Sequence, residues 1–193
     1  MEVLSEIVFG LALSVGALAL VGSPPTTSGG LYLALATFGF SFLVLILVWL
    51  AFTHLRSMLN FESRWSVSLN VVLLFTVSIE PFLFDLIVRS NETAAFLATA
   101  NQVFAIDIGV MVGVLGVFAW YVATIPRTGL DADTRRRLRR DALNRWVVSG
   151  IFFLSAAPIF GQVYLYTEPA RVAIWIVGLL VLLASRLRQP TAL

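Results

Sequence analysis

Six apolar stretches, at about 4–22, 31–55, 66–88, 95–124, 146–166 and 170–187, alternate with polar links along the chain. Each suits a helix across a hydrocarbon core of about 30 Å, which takes roughly 20 residues. All the links are short except 125–145, which is Arg-rich. The pattern predicts an all-α membrane protein, with six transmembrane helices in one compact domain over residues 1–193 and no soluble domain. No internal repeat stands out.

The first stretch, Leu4 to Gly22, carries a finer pattern. At about 100° per residue, with Leu11 at zero, Leu4, Val15 and Leu18 fall within about 40° of it and form a bulky stripe. Ser14 lies to one side, with Gly10 and Ala17 beyond it. Ala12, Gly16 and Ala19 make the other flank, and Phe9, Leu13 and Leu20 the back. Small residues let helix backbones approach closely in lipid. A helix small on both flanks and bulky in front suits a ring about an axis, the stripe pointing inward. The same pattern also fits a central helix whose stripe meets another helix of its own chain. Glu6 falls opposite the stripe and is expected to face protein. The spacing predicts a hydrogen bond from Ser5 or Glu6 to His54, at the end of the second helix, or Asn70, near the start of the third.

Composition sharpens this picture. Of 193 residues, 59% are hydrophobic and 12% charged, with mean hydropathy +0.93, which sets aside a soluble fold. All thirteen basic residues are arginine. Six crossings would place all of them on one side except Arg89 and Arg171, which predicts a multi-pass cell-membrane protein with both termini cytoplasmic. The opening "MEVLSE" is acidic where a signal peptide is basic. There is no cysteine and one histidine, which argues against a metal centre or an intramembrane hydrolase. The expectation is no enzyme, no cofactor, no metal and no nucleic acid, since the basic run "DADTRRRLRRDALNRW" has a membrane explanation. That run is either an anionic-lipid or regulatory contact or a topogenic charge block on a short interfacial helix capped by Asp131 or Asp133.

Several polar residues inside apolar stretches are candidates for chemistry. Glu80 and Asp85 flank Pro81 in the third helix and would attract cations as outer-mouth acids, or else mark a packed kink. Asp107 lies inside the fourth helix, near Asn101 and Gln102, as part of a relay or a satisfied structural pair. Trp49, Trp65, Trp120 and Trp146 are placed as an interfacial belt, and Asn91-Glu92-Thr93 matches a glycan acceptor.

Three segments carry a family resemblance. "LSEIVFGLALSVGALAL" resembles the first helix of the transmembrane protein 175 family, the endolysosomal potassium channel and its prokaryotic relatives. "FSFLVLILVWLAFTHLRSML" resembles its second, with a tryptophan before a His/Arg cluster, and "SLNVVLLFTVSIEPFLFDLI" its third. The family's first-helix pattern is Arg, three residues, then Phe-Ser-Asp. Here Leu4-Ser5-Glu6 fills the last part, and the family histidine after the tryptophan falls on Phe52. The resemblance implies a homotetramer with the first helix lining a central pore and no carbonyl filter. It also implies apolar constrictions at Leu11, Val15 and Leu18, a pore hydroxyl at Ser14, and a polar network of Ser5, Glu6, His54 and Asn70 at the cytoplasmic end.

The function expected is therefore a passive channel for potassium and other monovalent cations in the lipid bilayer, with a hydrophobic constriction in place of a carbonyl selectivity filter. Two alternatives stand beside it: a proton-coupled or small-solute transporter using the intramembrane acids, and a non-conducting membrane scaffold.

Overall fold

The computed structural model describes residues 2–22, 27–59, 63–88, 93–162, 164–165 and 168–187. Among the described residues, the regular structure is helical apart from one two-residue ladder. The helices are α1 (Glu2–Gly22), α2 (Ser28–Ser57), α3 (Arg64–Val88), α4 (Ala94–Thr124), α5 (Ala132–Ser155), the short α6 (Ile159–Gln162) and α7 (Ala170–Leu187). Between α6 and α7, β1 (Tyr164–Leu165) pairs antiparallel with β2 (Glu168–Pro169). Among the described residues, α2, Arg64–Ile87 of α3, and α4 are long and apolar enough to cross a membrane. Val3–Leu18 and Arg171–Ala184 are shorter apolar segments of α1 and α7.

Local chemistry sets the helix ends. Thr27 caps α2 by accepting from the Gly30 N–H, and Thr93 caps α4 by accepting from the Phe96 N–H. Ser63 and Ser66 exchange backbone-to-hydroxyl bonds at the start of α3, the reciprocal geometry of a capping box. Helix α4 stops at Thr124 because Pro126 pushes Ile125 into an extended conformation. The chain then reverses through a 3₁₀ turn, Pro126–Thr128, and Gly129 at φ 64°, a left-handed position that glycine takes without strain.

The structure corrects the fifth predicted element. Residues 146–166 do not form a helix of their own, and most of the Arg-rich link is helical, in line with the reading of a helix capped by Asp131 but longer. Helix α5 starts at Ala132, capped by Asp131, whose carboxylate accepts from the Thr134 N–H at 2.7 Å. It runs unbroken to Ser155, and Pro158 bars its continuation. By hydropathy alone, Asp141 and Arg145 are costs to burial. They are instead an i, i+4 ion pair at 2.8 Å, both buried, so the helix packs where its formal charges seemed to forbid it.

Helix α4 is the centre of the molecule. Its buried residues include Phe104, Ile108, Met111, Leu115, Phe118 and Val122, packed against α2, α3 and α5. The α4–α5 contact is the closest. Gly109, Gly113 and Gly116 form a groove in α4 that receives Phe153, Ser149 and Trp146 of α5, and the Ser149 hydroxyl donates to the Gly109 carbonyl at 2.7 Å. Spacing small residues by three or four is how helices approach closely where lipid gives no hydrophobic drive. Phe40, Phe104 and Trp175 meet in an aromatic cluster that joins α2, α4 and α7.

Candidate functional site

Helix α1 packs on α3 and α2 through one face only. Ser5, Phe9, Ala12 and Gly16 are buried, at spacings of three and four residues that hold them on one side of the helix. The ring of Phe9 stacks on Phe52 at 6.3 Å, and Phe52 meets Phe118 edge-on at 6.0 Å. An aromatic stack thus occupies the position where the family resemblance implied a histidine. The stripe is left uncovered by the chain: Leu11 is 62% exposed, Val15 42% and Leu18 64%. Of the two small-residue flanks, Ala12 and Gly16 are used within the subunit. Gly10 and Ala17 are exposed, and nothing lies within 4 Å of a Cβ built on Gly10. Ser14 is exposed on the same side, its hydroxyl donating to the Gly10 carbonyl at 2.8 Å. That bond uses the hydrogen and leaves oxygen lone pairs directed outward.

At the Ser5 end, the structure brings two of the four expected network residues together. The Ser5 hydroxyl donates to Oδ1 of Asn70 at 3.4 Å, a long bond between two buried side chains. Nδ2 of Asn70 is buried without a partner. Glu6 does not face protein as expected but is exposed, just beyond the packed arc that ends at Ser5. His54, also exposed, lies in the last turn of α2. Among the described residues, no hydrogen bond joins Glu6 or His54 to Asn70.

The acids of α3 separate. Asp85 is half-buried. Glu80 is fully buried rather than set at an open outer mouth, because it projects toward α2, where the Ser41 hydroxyl donates to its Oε1. Helix α3 continues through Pro81, which removes one donor, to the Val77 carbonyl. Asp107 of α4 is 8% exposed and lies within electrostatic reach of Glu80. Asn101 is turned away from it, donating to the Leu97 carbonyl of its own helix at 2.8 Å. Oε2 of Glu80 and Oδ2 of Asp107 are buried with no hydrogen-bond partner.

Other structural residues carried weaker signals in the sequence. Arg171, 3% exposed, donates to the carbonyls of Ser155 and Ala157 at the end of α5 and of Ala98 in α4. Trp175 donates to the Ser155 hydroxyl at 2.9 Å. Together they stitch α7 to α5, and a single Arg in a hydropathy trace does not reveal such carbonyl partners. At the opposite end, Trp120 and Trp146 lie 5.6 Å apart with the Arg139 guanidinium over the Trp120 ring at 5.7 Å. Asn91 and Glu92 of the glycan-acceptor sequence lie outside the described residues.

Chemically, the uncovered face of α1 offers an apolar surface broken by one hydroxyl. That surface is suited to a water-poor constriction or to contact with another copy or with lipid. Among the described residues, no group of three or more His, Cys, Asp or Glu side chains is placed to hold a metal. No protein-family model, curated protein or solved structure matches the chain.

Proposed function

We propose that the chain is one subunit of a passive, potassium-permeable cation channel of the transmembrane protein 175 type. In this reading α1, α2, α3, α4, α5 and α7 are the six crossings, both termini are cytoplasmic, and four copies surround a path lined by α1. The observation that carries the proposal is the division of α1 into a packed face, Ser5, Phe9, Ala12 and Gly16, and an uncovered face bearing Leu11, Ser14, Val15 and Leu18. The exposed Gly10 and Ala17 flank is small enough to take a neighbouring copy at close range. A cation at the leucine ring sheds part of its hydration with no charged ligand to compensate, so the ring both limits flux and sorts ions by the cost of dehydration.

The test is cation flux into liposomes, normalised to protein incorporated. Leu11→Asn supplies hydrogen-bonding groups at the neck. It should raise flux several-fold and reduce discrimination between potassium and sodium. Leu13→Asn, on the half-buried back of the helix, should disturb packing without raising flux. Gly10→Leu fits the isolated subunit, because the space beside Gly10 is open, and should instead weaken assembly. Unchanged flux and selectivity in Leu11→Asn, at equal incorporation, would remove α1 from the conduction path.

A further inference from the structure

We infer that Ser41, Glu80 and Asp107 form a proton-binding site inside the subunit, between α2, α3 and α4 and away from the α1 stripe. Three observations converge on it. Glu80 is wholly buried and receives one hydrogen bond, from the Ser41 hydroxyl to Oε1. Its other oxygen, Oε2, is buried and has no partner. Asp107 lies on α4, which packs on α3, is more than nine-tenths buried with Glu80 in electrostatic reach, and its Oδ2 also lacks a partner.

No described cation neutralises the pair. The buried guanidiniums are committed elsewhere, Arg145 to Asp141 and Arg171 to the carbonyls of Ser155, Ala157 and Ala98. On α2 the basic groups, His54 and Arg56, lie in the last turn, 13 residues or more beyond Ser41, about 20 Å along the axis. On α3 the other acid, Asp85, is a turn further on and half-buried, and Glu6 of α1 is exposed. Two carboxylates buried in a water-poor bundle, each with an unpartnered oxygen and with no described counter-charge, are not stable in the doubly ionised state.

The neutralising ligand is a proton rather than a metal cation. A hard cation needs about six or more oxygens, and the three side chains supply five, one of them a hydroxyl whose hydrogen already points at Glu80. A proton needs only one carboxyl oxygen. It also turns an acceptor-only group into a donor, which is what an unsatisfied Oε2 or Oδ2 lacks. The step is plain exchange: the site takes a proton from hydronium, water leaves, and no electron moves.

The site is independent of the proposed channel, so its test reads protonation rather than conduction. Infrared spectra of the full chain in liposomes are recorded in H₂O and D₂O across pH. The expected result is a protonated-carboxyl C=O band that persists at neutral pH and shifts in D₂O. The band should be insensitive to potassium or sodium at fixed pH, and the Glu80→Gln/Asp107→Asn double variant should lose it. Ser41→Ala should move its frequency by removing the hydroxyl on Glu80. The wild-type spectrum decides even where a variant fails to fold. Absence of the band at neutral pH, its persistence in the double variant, or its displacement by added potassium or sodium would each overturn the assignment.

Discussion

Substituting Gly116 by alanine tests the α4–α5 groove, and the structure sets the size of the effect. The added Cβ would lie 2.6 Å from Cδ1 and Nε1 of Trp146 and 3.2 Å from the Ala142 carbonyl oxygen. Carbon contacts settle at about 3.5–4.0 Å, so the indole must move by about 1 Å or α5 must retreat. Trp146 is 36% exposed and has room to swing, but doing so breaks its contact with Trp120, a pair worth about 0.5–1.5 kcal/mol. The backbone oxygen of Ala142 cannot swing, and overpacking of this kind costs about 1–3 kcal/mol. Against this, alanine is the better helix former by about 1 kcal/mol. The net expectation is a loss of about 1–2 kcal/mol, a factor of roughly 5–30 in the folded population. Reversible unfolding by SDS in mixed micelles, followed by far-ultraviolet circular dichroism, measures it. Two comparisons isolate the cause. Gly10→Ala, with open space around it, should keep the propensity gain in a monomeric preparation. In a Trp146→Ala background, Gly116→Ala should cost about 1 kcal/mol less than in the wild type, because the indole collision is gone. A Gly116→Ala variant more stable than wild type by the full propensity gain would refute the close approach.

Other outcomes follow from the same geometry. Arg145→Met should destabilise the fold by about 3–5 kcal/mol by stranding the Asp141 carboxylate, whereas Asp141→Leu/Arg145→Met together should cost far less; equal losses in the same unfolding assay would mean the pair is not buried. At Asp131, hydrogen bonds from the Thr134 N–H and hydroxyl hold the carboxyl below the usual aspartate range. Its capping contribution is therefore complete above the ordinary value of about 3.9 and lost as pH falls through the lower folded value. A carbon-detected NMR titration of Asp131 checks the shift, and Asp131→Asn should keep the cap while abolishing its pH dependence.

Hydropathy made α2, α3 and α4 legible, since each is an apolar run with few interruptions, and the cap of α5 was readable from Asp131 and the residues after it. The unbroken run of α5 from Ala132 to Ser155 was not. A charge count sees Asp141 and Arg145 as two costs, while the helix presents them to each other four residues apart and cancels both. On α1, a wheel separates the packed back from the stripe, but Ser5 and Glu6 both project toward the back and only contact with Asn70 chooses between them. The inward turn of Glu80 depends on Ser41, 39 residues away, and no local pattern encodes that. The groove of Gly109, Gly113 and Gly116 was written plainly in the spacing. It is the motif most easily passed over when glycines in the first helix invite attention instead.

The manner in which α1 is held makes it a lever. Its side-chain hydrogen bond to another helix and its aromatic stack are both near one end, Ser5–Asn70 and Phe9–Phe52. Further along, the fully buried contacts are made by Ala12 and Gly16, Leu13 and Leu20 pack on the core while only partly buried, and a Cβ on Gly16 would come only to 3.8 Å from Phe38. Small or partly buried contacts of this kind resist sliding less than fully interlocked side chains do. With Phe9 as the pivot, Leu18 lies about 13 Å along the axis. A tilt of about 10° therefore carries its side chain sideways by about 2 Å, more than the radius of a dehydrated alkali cation, while the bond and the stack at the pivot stay in place.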